Sequence, residues 1–239
     1  MYKAILFDMD GTILDTLTDL TLSTNYALSE MGLPHNFPAD LVKLCYGGGI
    51  TADMEKVLAM AKGCPGEDLE FIGERIPFSA YHFTKTEVEK LKDIFVPYYS
   101  SHCHDHSAPY AGILSLLTDL RRAGCFTAVA SNKNDNDVQS LVKSQFDGLF
   151  HVSMGNHPAI KRKPAPDMIE KILKALSVTR EEAIYIGDSE VDIETAKNAG
   201  LPSLSVTWGF RNQKFLEAHG AEHIVSTAEE IREILLREQ

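Results

Sequence analysis

The 239-residue sequence predicts an α/β fold: a mainly parallel sheet flanked by helices, with an all-helical segment inserted after the first strand. Three observations predict it. The chain opens on a short apolar run that stops at an acidic cluster. Residues 15–101 carry helical periodicity without a strand of consequence, and from residue 113 onward short apolar strands alternate with helices. Such alternation requires right-handed crossovers between parallel strands, and the first strand belongs with them. This sets the boundaries: residues 1–14 and 106–239 form the core, and residues 15–105 the helical insert.

Taken in order, Ala4, Ile5, Leu6 and Phe7 read as a strand buried on both faces. Residues 15–31 place Leu17, Leu20, Ala27, Leu28 and Met31 at helical spacing, with Gly32 and Pro34 as the stop. Shorter helical stretches cover 38–45, 50–60 and 67–75, the first two separated by Gly47, Gly48 and Gly49. A longer helix over 86–101 opens on a capping box from Thr86 to Glu89 and turns Val88, Leu91, Ile94 and Phe95 inward. Pro97 should kink it or end it early. In the second half, helices are expected over 113–123, 137–146, 166–176 and 191–198. Strands are expected over 126–130, 149–152, 183–186, 204–207 and 223–225, and Ser226 can cap a last helix.

Composition bounds the function. Hydrophobic content of 44% and charged content of 24% are ordinary for a globular protein, and the chain is long enough to bury a real core. A net charge of −11 leaves no basic stripe for a nucleic-acid backbone, and an anionic ligand would need a metal or a few local lysines. No stretch approaches the roughly 18–20 apolar residues of a membrane span, and the N-terminus enters a strand without a signal peptide's regions. Cys45, Cys64, Cys103 and Cys125 are scattered with no CxxC pair, which reads as reduced thiols of a cytoplasmic protein.

The chemistry concentrates where strands end, the edge at which open parallel sheets bind ligands. Asp8 and Asp10 come after the first strand at i and i+2, on one side of an extended backbone and roughly 6–7 Å apart. Two like charges about 4 Å apart repel by roughly 4 kcal/mol at an effective dielectric of about 20. Such a pair wants a cation, a shared proton or open water. Gly11 lets the chain turn away tightly, and Thr12 can cap or hydrogen-bond the next turn of chain. Ser131 and Asn132 end the strand at 126–130, Lys163 lies in the loop at 161–166, and Asp188 and Asp192 come after the strand at 183–186. Asp8, Asp10, Asp188 and Asp192 are hard oxygen ligands without a His or Cys partner, which suits Mg²⁺ rather than zinc. Ser131 and Lys163 supply the hydroxyl and the positive charge that a transferring phosphoryl group needs. Each alone has an ordinary explanation, as helix cap, solvated lysine or turn acid. Gathered at one sheet edge they mark a site.

These residues resemble those of the haloacid dehalogenase superfamily. DMDGT from Asp8, SN from Ser131, KPAPD from Lys163 and GDSEVD from Gly187 are similar to its four motifs, in order and across nearly the whole chain. The first and fourth are specific, whereas the second is weak by itself. The resemblance is nearest to phosphoglycolate phosphatases. It implies a Rossmann-like, doubly wound core, a helical cap domain between the first and second motifs, Mg²⁺ and an aspartyl-phosphate intermediate. It also implies Asp8 as nucleophile, Asp10 as acid and then base, and Asp8, the Asp10 carbonyl and Asp188 as metal ligands. Asp192 would support them from behind or through Lys163, while Ser131, Asn132 and Lys163 would bind phosphoryl oxygens. The second acid, Asp10, favours phosphate over halide chemistry.

The insert should then act as a lid, hinged near residues 11–15 and 101–107. Tyr46, Gly47, Gly48 and Gly49 join two of its helices, and the glycines either let backbone N–H groups approach a substrate or form a flexible linker. Lys43, one turn away, could meet a substrate carboxylate, although a solvated helix lysine is the plainer reading. Arg211, beyond the strand at 204–207, is a weaker candidate still. His102, Cys103, His104, Asp105 and His106 have metal-ligand side chains at a spacing unlike zinc pairs and read as a polar linker from insert to core. The leading function is a Mg²⁺-dependent phosphatase acting on a small phosphorylated metabolite such as 2-phosphoglycolate. The alternatives are a phosphosugar mutase or pyrophosphatase of the same superfamily and, from another class, a non-catalytic binding or regulatory protein on this fold. The last should have lost at least one of Asp8, Asp10, Lys163 or Asp188, and all are present.

Overall fold

The computed structural model describes residues 2–236. Its strands are β1 (Ala4–Phe7), β2 (Leu14–Asp15), β3 (Ala108–Pro109), β4 (Phe126–Asn134), β5 (Val152–Asn156), β6 (Ala183–Gly187), β7 (Ser203–Val206) and β8 (Ile224–Val225). All but β2 and β3 form one parallel sheet in the order β5-β4-β1-β6-β7-β8. This is the α/β architecture expected. The four residues of β1 are wholly buried because β4 and β6 flank the strand on both edges and helices cover both faces, so no alternation survives in its sequence. Helix Asp167–Leu176 shows how a face is covered. Met168, Ile169, Ile172 and Leu173 form its buried stripe and pack with Leu6, Ala130 and Tyr185 of the sheet.

The chain divides into two compact units: the residues up to Asp15 together with those from Ala108 on, and residues Thr16–Ser107. Where the chain leaves and re-enters the first unit, β2 and β3 pair antiparallel, Leu14 opposite Pro109 and Asp15 opposite Ala108. The second unit is helical, built on Leu17–Glu30, Ile50–Ala61 and Lys85–His102 around Leu28, Leu58, Leu91 and Phe95. Its two ends are tied by one buried carboxylate. Asp19 accepts the N–H and Oγ of Ser107 at 2.9 and 2.7 Å and the N–H of His106 at 3.1 Å, and its Oδ1 lies 2.8 Å from His106 Nδ1. Burial alone would raise the Asp19 carboxyl, but the Ser107 and His106 hydrogen bonds hold it below the usual carboxylate range.

Several element boundaries differ from expectation, each for a local reason. The helix expected over 67–75 is a single turn, Gly66–Leu69, because the chain then turns at Gly73 with φ of +86°. The capping box sits two residues early, on Thr84 and Glu87 rather than Thr86 and Glu89. Thr84 has the extended φ of a cap, whereas Thr86 is already helical. Pro97 does not end that helix, which continues to His102 with Phe95 and Tyr99 buried on either side of it. The strand at 126–130 runs on to Asn134 through a register shift, and the strand expected over 149–152 forms at Val152–Asn156. The hydroxyl that meets the first turn of Ala228–Leu236 is Thr227, accepting the Glu230 N–H at 3.2 Å, not Ser226. The four cysteines are free and buried, and among the described residues no helix is long and apolar enough to cross a membrane.

Asp19→Ala should lower unfolding stability by about 2–4 kcal/mol, because it strands the buried N–H and hydroxyl of Ser107 and removes the partner of the His106 N–H. Urea unfolding measures it; a loss below about 0.5 kcal/mol, the size of an ordinary surface change, would remove Asp19 as the tie.

Candidate active site

Register brings the acids together. Phe7 of β1 lies level with Val129 of β4 on one side and Ile186 of β6 on the other. Asp8 is the next residue after Phe7, while Ser131 and Asp188 stand two residues beyond Val129 and Ile186, so all three lie at the carboxyl ends of adjacent central strands. The Asp8 N–H still donates to the Ile186 carbonyl at 2.8 Å, which fixes where its side chain leaves the sheet.

One buried ammonium ties the cluster. Lys163, 2% exposed, has its Nζ 2.8 Å from Asp8 Oδ1, 2.8 Å from Asp192 Oδ1 and 3.0 Å from the Tyr185 hydroxyl. Those three acceptors use all three of its donors. Burial by itself would lower the Lys163 ammonium, but Asp192 and Asp8 hold it well above its ordinary value. Asn132 fixes the loop behind it: its amide donates to the Lys163 carbonyl at 3.1 Å, and its side-chain oxygen accepts the Lys163 N–H at 2.9 Å. The other oxygen of Asp192 accepts from the Ser189 hydroxyl at 2.6 Å and from the Ser189 and Asp188 N–H groups at 3.1 and 3.2 Å. Asp192 is thus the capping box of helix Glu190–Ala199 as well as the partner of Lys163.

Asp188, 1% exposed, is held by neutral donors. Thr12 Oγ1 donates to its Oδ1 at 3.1 Å and the Phe210 N–H to its Oδ2 at 2.7 Å, and among the described residues it forms no salt bridge. Burial, then Asp192 and Asp8, push its carboxyl well above the usual range. Burial likewise drives the Asp8 carboxyl up to about 7, against the pull of Lys163. Ser131 is buried, and its Oγ accepts the Lys133 N–H at 3.2 Å. Asp10 is met by a residue that the four motifs do not include: Lys133 Nζ lies 2.9 and 3.0 Å from its two oxygens. Lys133 comes directly after Ser131 and Asn132 near the end of β4, and its partner Asp10 is 123 residues away, so the sequence alone does not single it out.

The remaining candidates are held by contacts of their own. Tyr46 is a buried packing residue of the helical unit, its hydroxyl 2.6 Å from Thr24 Oγ1 and its ring 6.0 Å from that of Phe95. Gly48 donates its N–H to Asp53 Oδ1 at 3.0 Å, and Gly47 and Gly49 take φ of +116° and +87°, so the triple glycine folds back on the start of helix Ile50–Ala61. Lys43 pairs with Asp40 at 3.2 Å. His102 and His106 pair with Asp105 and Asp19, each at 2.8 Å. Arg211 is buried against Glu190.

A divalent cation fits the first unit. One oxygen from each of Asp8, Asp188 and Asp192 lies within 4.8 Å of the others, the one such grouping of three among the described residues. The set is all oxygen, and its members differ: Asp192 already meets Lys163, whereas Asp188 is a buried carboxylate without an ion-pair partner among the described residues. Asp8 and Asp188 could hold a hard cation, which would supply the missing charge.

A sequence profile of the haloacid dehalogenase-like hydrolase family matches residues 5–206. The chain is 31% identical over 222 residues to a phosphoglycolate phosphatase of Mannheimia succiniciproducens, covering 91% of this chain and 92% of that protein. It is 28% identical over 239 residues to an N-acetylmuramic acid 6-phosphate phosphatase of Pseudomonas aeruginosa, covering 98% and 95%. Its fold is similar, with a TM-score of 0.93 and 44% identity over 99% of each chain, to the crystal structure of a candidate phosphoglycolate phosphatase from Lactobacillus delbrueckii subsp. bulgaricus.

The raised Asp8 carboxyl sets a sign. A group whose folded value, about 7, exceeds its ordinary 3.8 stabilises the fold below 3.8 and loses that contribution as pH rises through about 7. In chelator, Tm should therefore fall over that window, with Asp188 acting in the same direction. Asp8→Asn should flatten the fall, and a divalent cation should raise Tm more at pH 7 than at pH 5. A pH-independent Tm in chelator would contradict the charge balance described.

Proposed function

The chain belongs to the haloacid dehalogenase-like hydrolases and is a phosphatase of that family, and on that premise we propose that it hydrolyses a small phosphorylated carboxylate of the 2-phosphoglycolate kind. The reaction runs with Mg²⁺ and through a phosphoryl group carried on Asp8. What supports this reading above all is the buried ammonium of Lys163 shared between Asp8 and Asp192, beside the Asp188 carboxylate, which is met by neutral N–H and O–H donors. The two curated relatives are named for phosphate esters of carboxylic acids, which supports the substrate class.

Asp8 attacks phosphorus in line with the leaving oxygen; the Asp8 O–P bond forms as the ester P–O bond breaks. Asp10 gives a proton to the leaving oxygen, then takes one from the water that attacks phosphoryl-Asp8, freeing phosphate and restoring the carboxylate. Asp8, the Asp10 carbonyl and Asp188 would hold Mg²⁺, with Asp192 behind them. The ion supplies charge neutralisation between the nucleophile and the phosphoryl oxygens. Lys163 acts chiefly on Asp8, since its three donors are engaged: it aims the nucleophile and offsets charge that the phosphate brings. Ser131, whose oxygen accepts the Lys133 N–H, keeps its own hydroxyl proton for a phosphoryl oxygen. Asn132 is a positioning residue, acting through the backbone of Lys163.

Lys133 adds a consequence. Both oxygens of Asp10 accept from its ammonium, so the acid step requires one of them to come away. A substrate carboxylate arriving beside the leaving oxygen would compete for that ammonium and release Asp10.

Phosphate release across a panel of 2-phosphoglycolate, sugar phosphates, nucleotides, pyrophosphate and an aryl phosphate tests the reading, with 2-phosphoglycolate expected to lead. Asp8→Asn should cost roughly a thousandfold or more in kcat with an intact fold. Wild-type-like turnover in that variant would remove the covalent mechanism, and a single turnover that passes the phosphoryl group to a second organic acceptor would convert the hydrolase to a mutase. Lys133→Met should raise KM for 2-phosphoglycolate by about tenfold more than for the aryl ester, the size of one charge-assisted hydrogen bond. Equal effects on both would take Lys133 out of carboxylate recognition.

A further inference from the structure

Beyond the residues that would touch cation or phosphate, the turn after β7 reaches the same carboxylate from outside every motif. Three of its four residues engage the site loops. The Trp208 indole N–H donates to the Thr12 carbonyl at 3.0 Å and the Phe210 N–H donates to Asp188 Oδ2 at 2.7 Å, with Gly209 between them in the chain. A Cβ on Gly209 would overlap both the Asp188 carboxylate and the Gly11 carbonyl, and one on Gly11 would overlap Asp188 from the other side. Gly209 does not take a positive φ, so close approach rather than backbone conformation is what calls for glycine there.

The fourth residue anchors the turn. Arg211 is 1% exposed, and its charge draws the raised Asp188 carboxyl back down. Its Nε and Nη2 donate to the two oxygens of Glu190 at 2.9 and 3.2 Å, and its guanidinium lies 5.4 Å from the centre of the Phe215 ring. Glu190 opens the helix two residues after Asp188. The bidentate pair therefore joins the turn after β7 to the loop after β6, while Trp208 joins it to the loop after β1.

We propose that Trp208–Arg211 is a positioning strap that fixes Asp188 against the Gly11–Thr12 turn and so sets the affinity of the chain for its divalent cation, with the Arg211–Glu190 pair as the anchor. The inference rests on the reading of Asp8 and Asp188 as cation ligands. Outer partners that orient ligating carboxylates typically govern metal affinity by about 10–100-fold when removed. The strap acts through Asp188 and touches neither phosphorus nor the leaving group, so its loss should weaken cation binding while leaving the rate at saturating cation nearly intact.

Trp208 is the one tryptophan of the chain, and its indole contacts the turn in question, so its fluorescence reads the site directly. Mg²⁺ is titrated into the metal-free chain without substrate, monitored by Trp208 fluorescence and by calorimetry, for wild type, Arg211→Met, Glu190→Gln, the double variant and Gly209→Ala. Arg211→Met and Gly209→Ala should weaken Mg²⁺ binding at least about tenfold, and for Arg211→Met kcat at saturating Mg²⁺ should stay within about threefold of wild type. The double variant leaves no unpaired charge and guards against misfolding. It should recover Tm relative to Arg211→Met without recovering Mg²⁺ affinity, which a purely structural pair would not do. Mg²⁺ affinity within about twofold of wild type in the folded variants would overturn the strap alone. No saturable Mg²⁺ response in wild type, by either readout, would overturn the cation reading and the strap with it.

Discussion

One ammonium, withdrawn from water between two carboxylates, is the constraint on which the rest of the core depends. Removing Lys163 from solvent costs several kcal/mol unless its charge is met and every donor satisfied, and the protein satisfies all three with Asp8, Asp192 and Tyr185. That requirement explains why Tyr185, in the middle of a buried strand, is a tyrosine: its hydroxyl completes the ammonium and passes a hydrogen bond on to the Ala130 carbonyl at 3.2 Å. It also explains the double duty of Asp192, which satisfies a helix start with one oxygen and Lys163 with the other. Three strand ends and one loop are thereby held to one point.

The sheet supplies the coarse placement and the glycines the fine one. Parallel register sets Asp8 and Asp188 on neighbouring strands about 4.8 Å apart, but a strand spacing alone does not let carboxylates meet with turns folded over them. Gly11, Gly187 and Gly209 each lie where a Cβ would overlap an acidic side chain, Asp188 for the first and third and Asp192 for the second. The absence of three β-carbons makes room for two carboxylates in a space that ordinary residues would fill. Only Gly11 of the three also needs its positive φ.

Much of this is legible in the sequence, because the motifs are local. Asp8, Asp10, Ser131, Lys163 and Asp188 each stand just past an apolar strand or in the loop beside it, and the alternation of strands and helices carries the fold class. What is not legible is whatever depends on pairs distant in sequence. Lys133 has no meaning until Asp10, 123 residues away, is beside it. Arg211 is only a weak candidate on sequence grounds, since nothing in the run WGFR shows that its partner is Glu190 of the fourth motif. Tyr46 and the triple glycine likewise have contacts that residue type does not announce: within the helical unit the Tyr46 hydroxyl meets Thr24 and the Gly48 N–H donates to Asp53. The two displaced caps share one cause: two threonines, or two serine-threonine neighbours, offer equivalent caps, and backbone geometry chooses between them.

The charge count gives the arrangement its direction. Asp8, Asp10, Asp188 and Asp192 are opposed by Lys133 and Lys163, since Arg211 is matched by Glu190 and leaves the balance unchanged. The excess is two negative charges, and it is not spread evenly: Lys133 answers Asp10, Lys163 answers Asp8 and Asp192, and Asp188 has only N–H and O–H donors. Burial of that excess is what drives the Asp8 and Asp188 carboxyls upward. A single divalent cation seated against Asp188 would bring the cluster to neutrality. That would ease the approach of a dianionic phosphate to a chain whose net charge is −11. With such an ion held there, the acids that repel an anion would become part of what binds one, and the charge balance favours cation before phosphate.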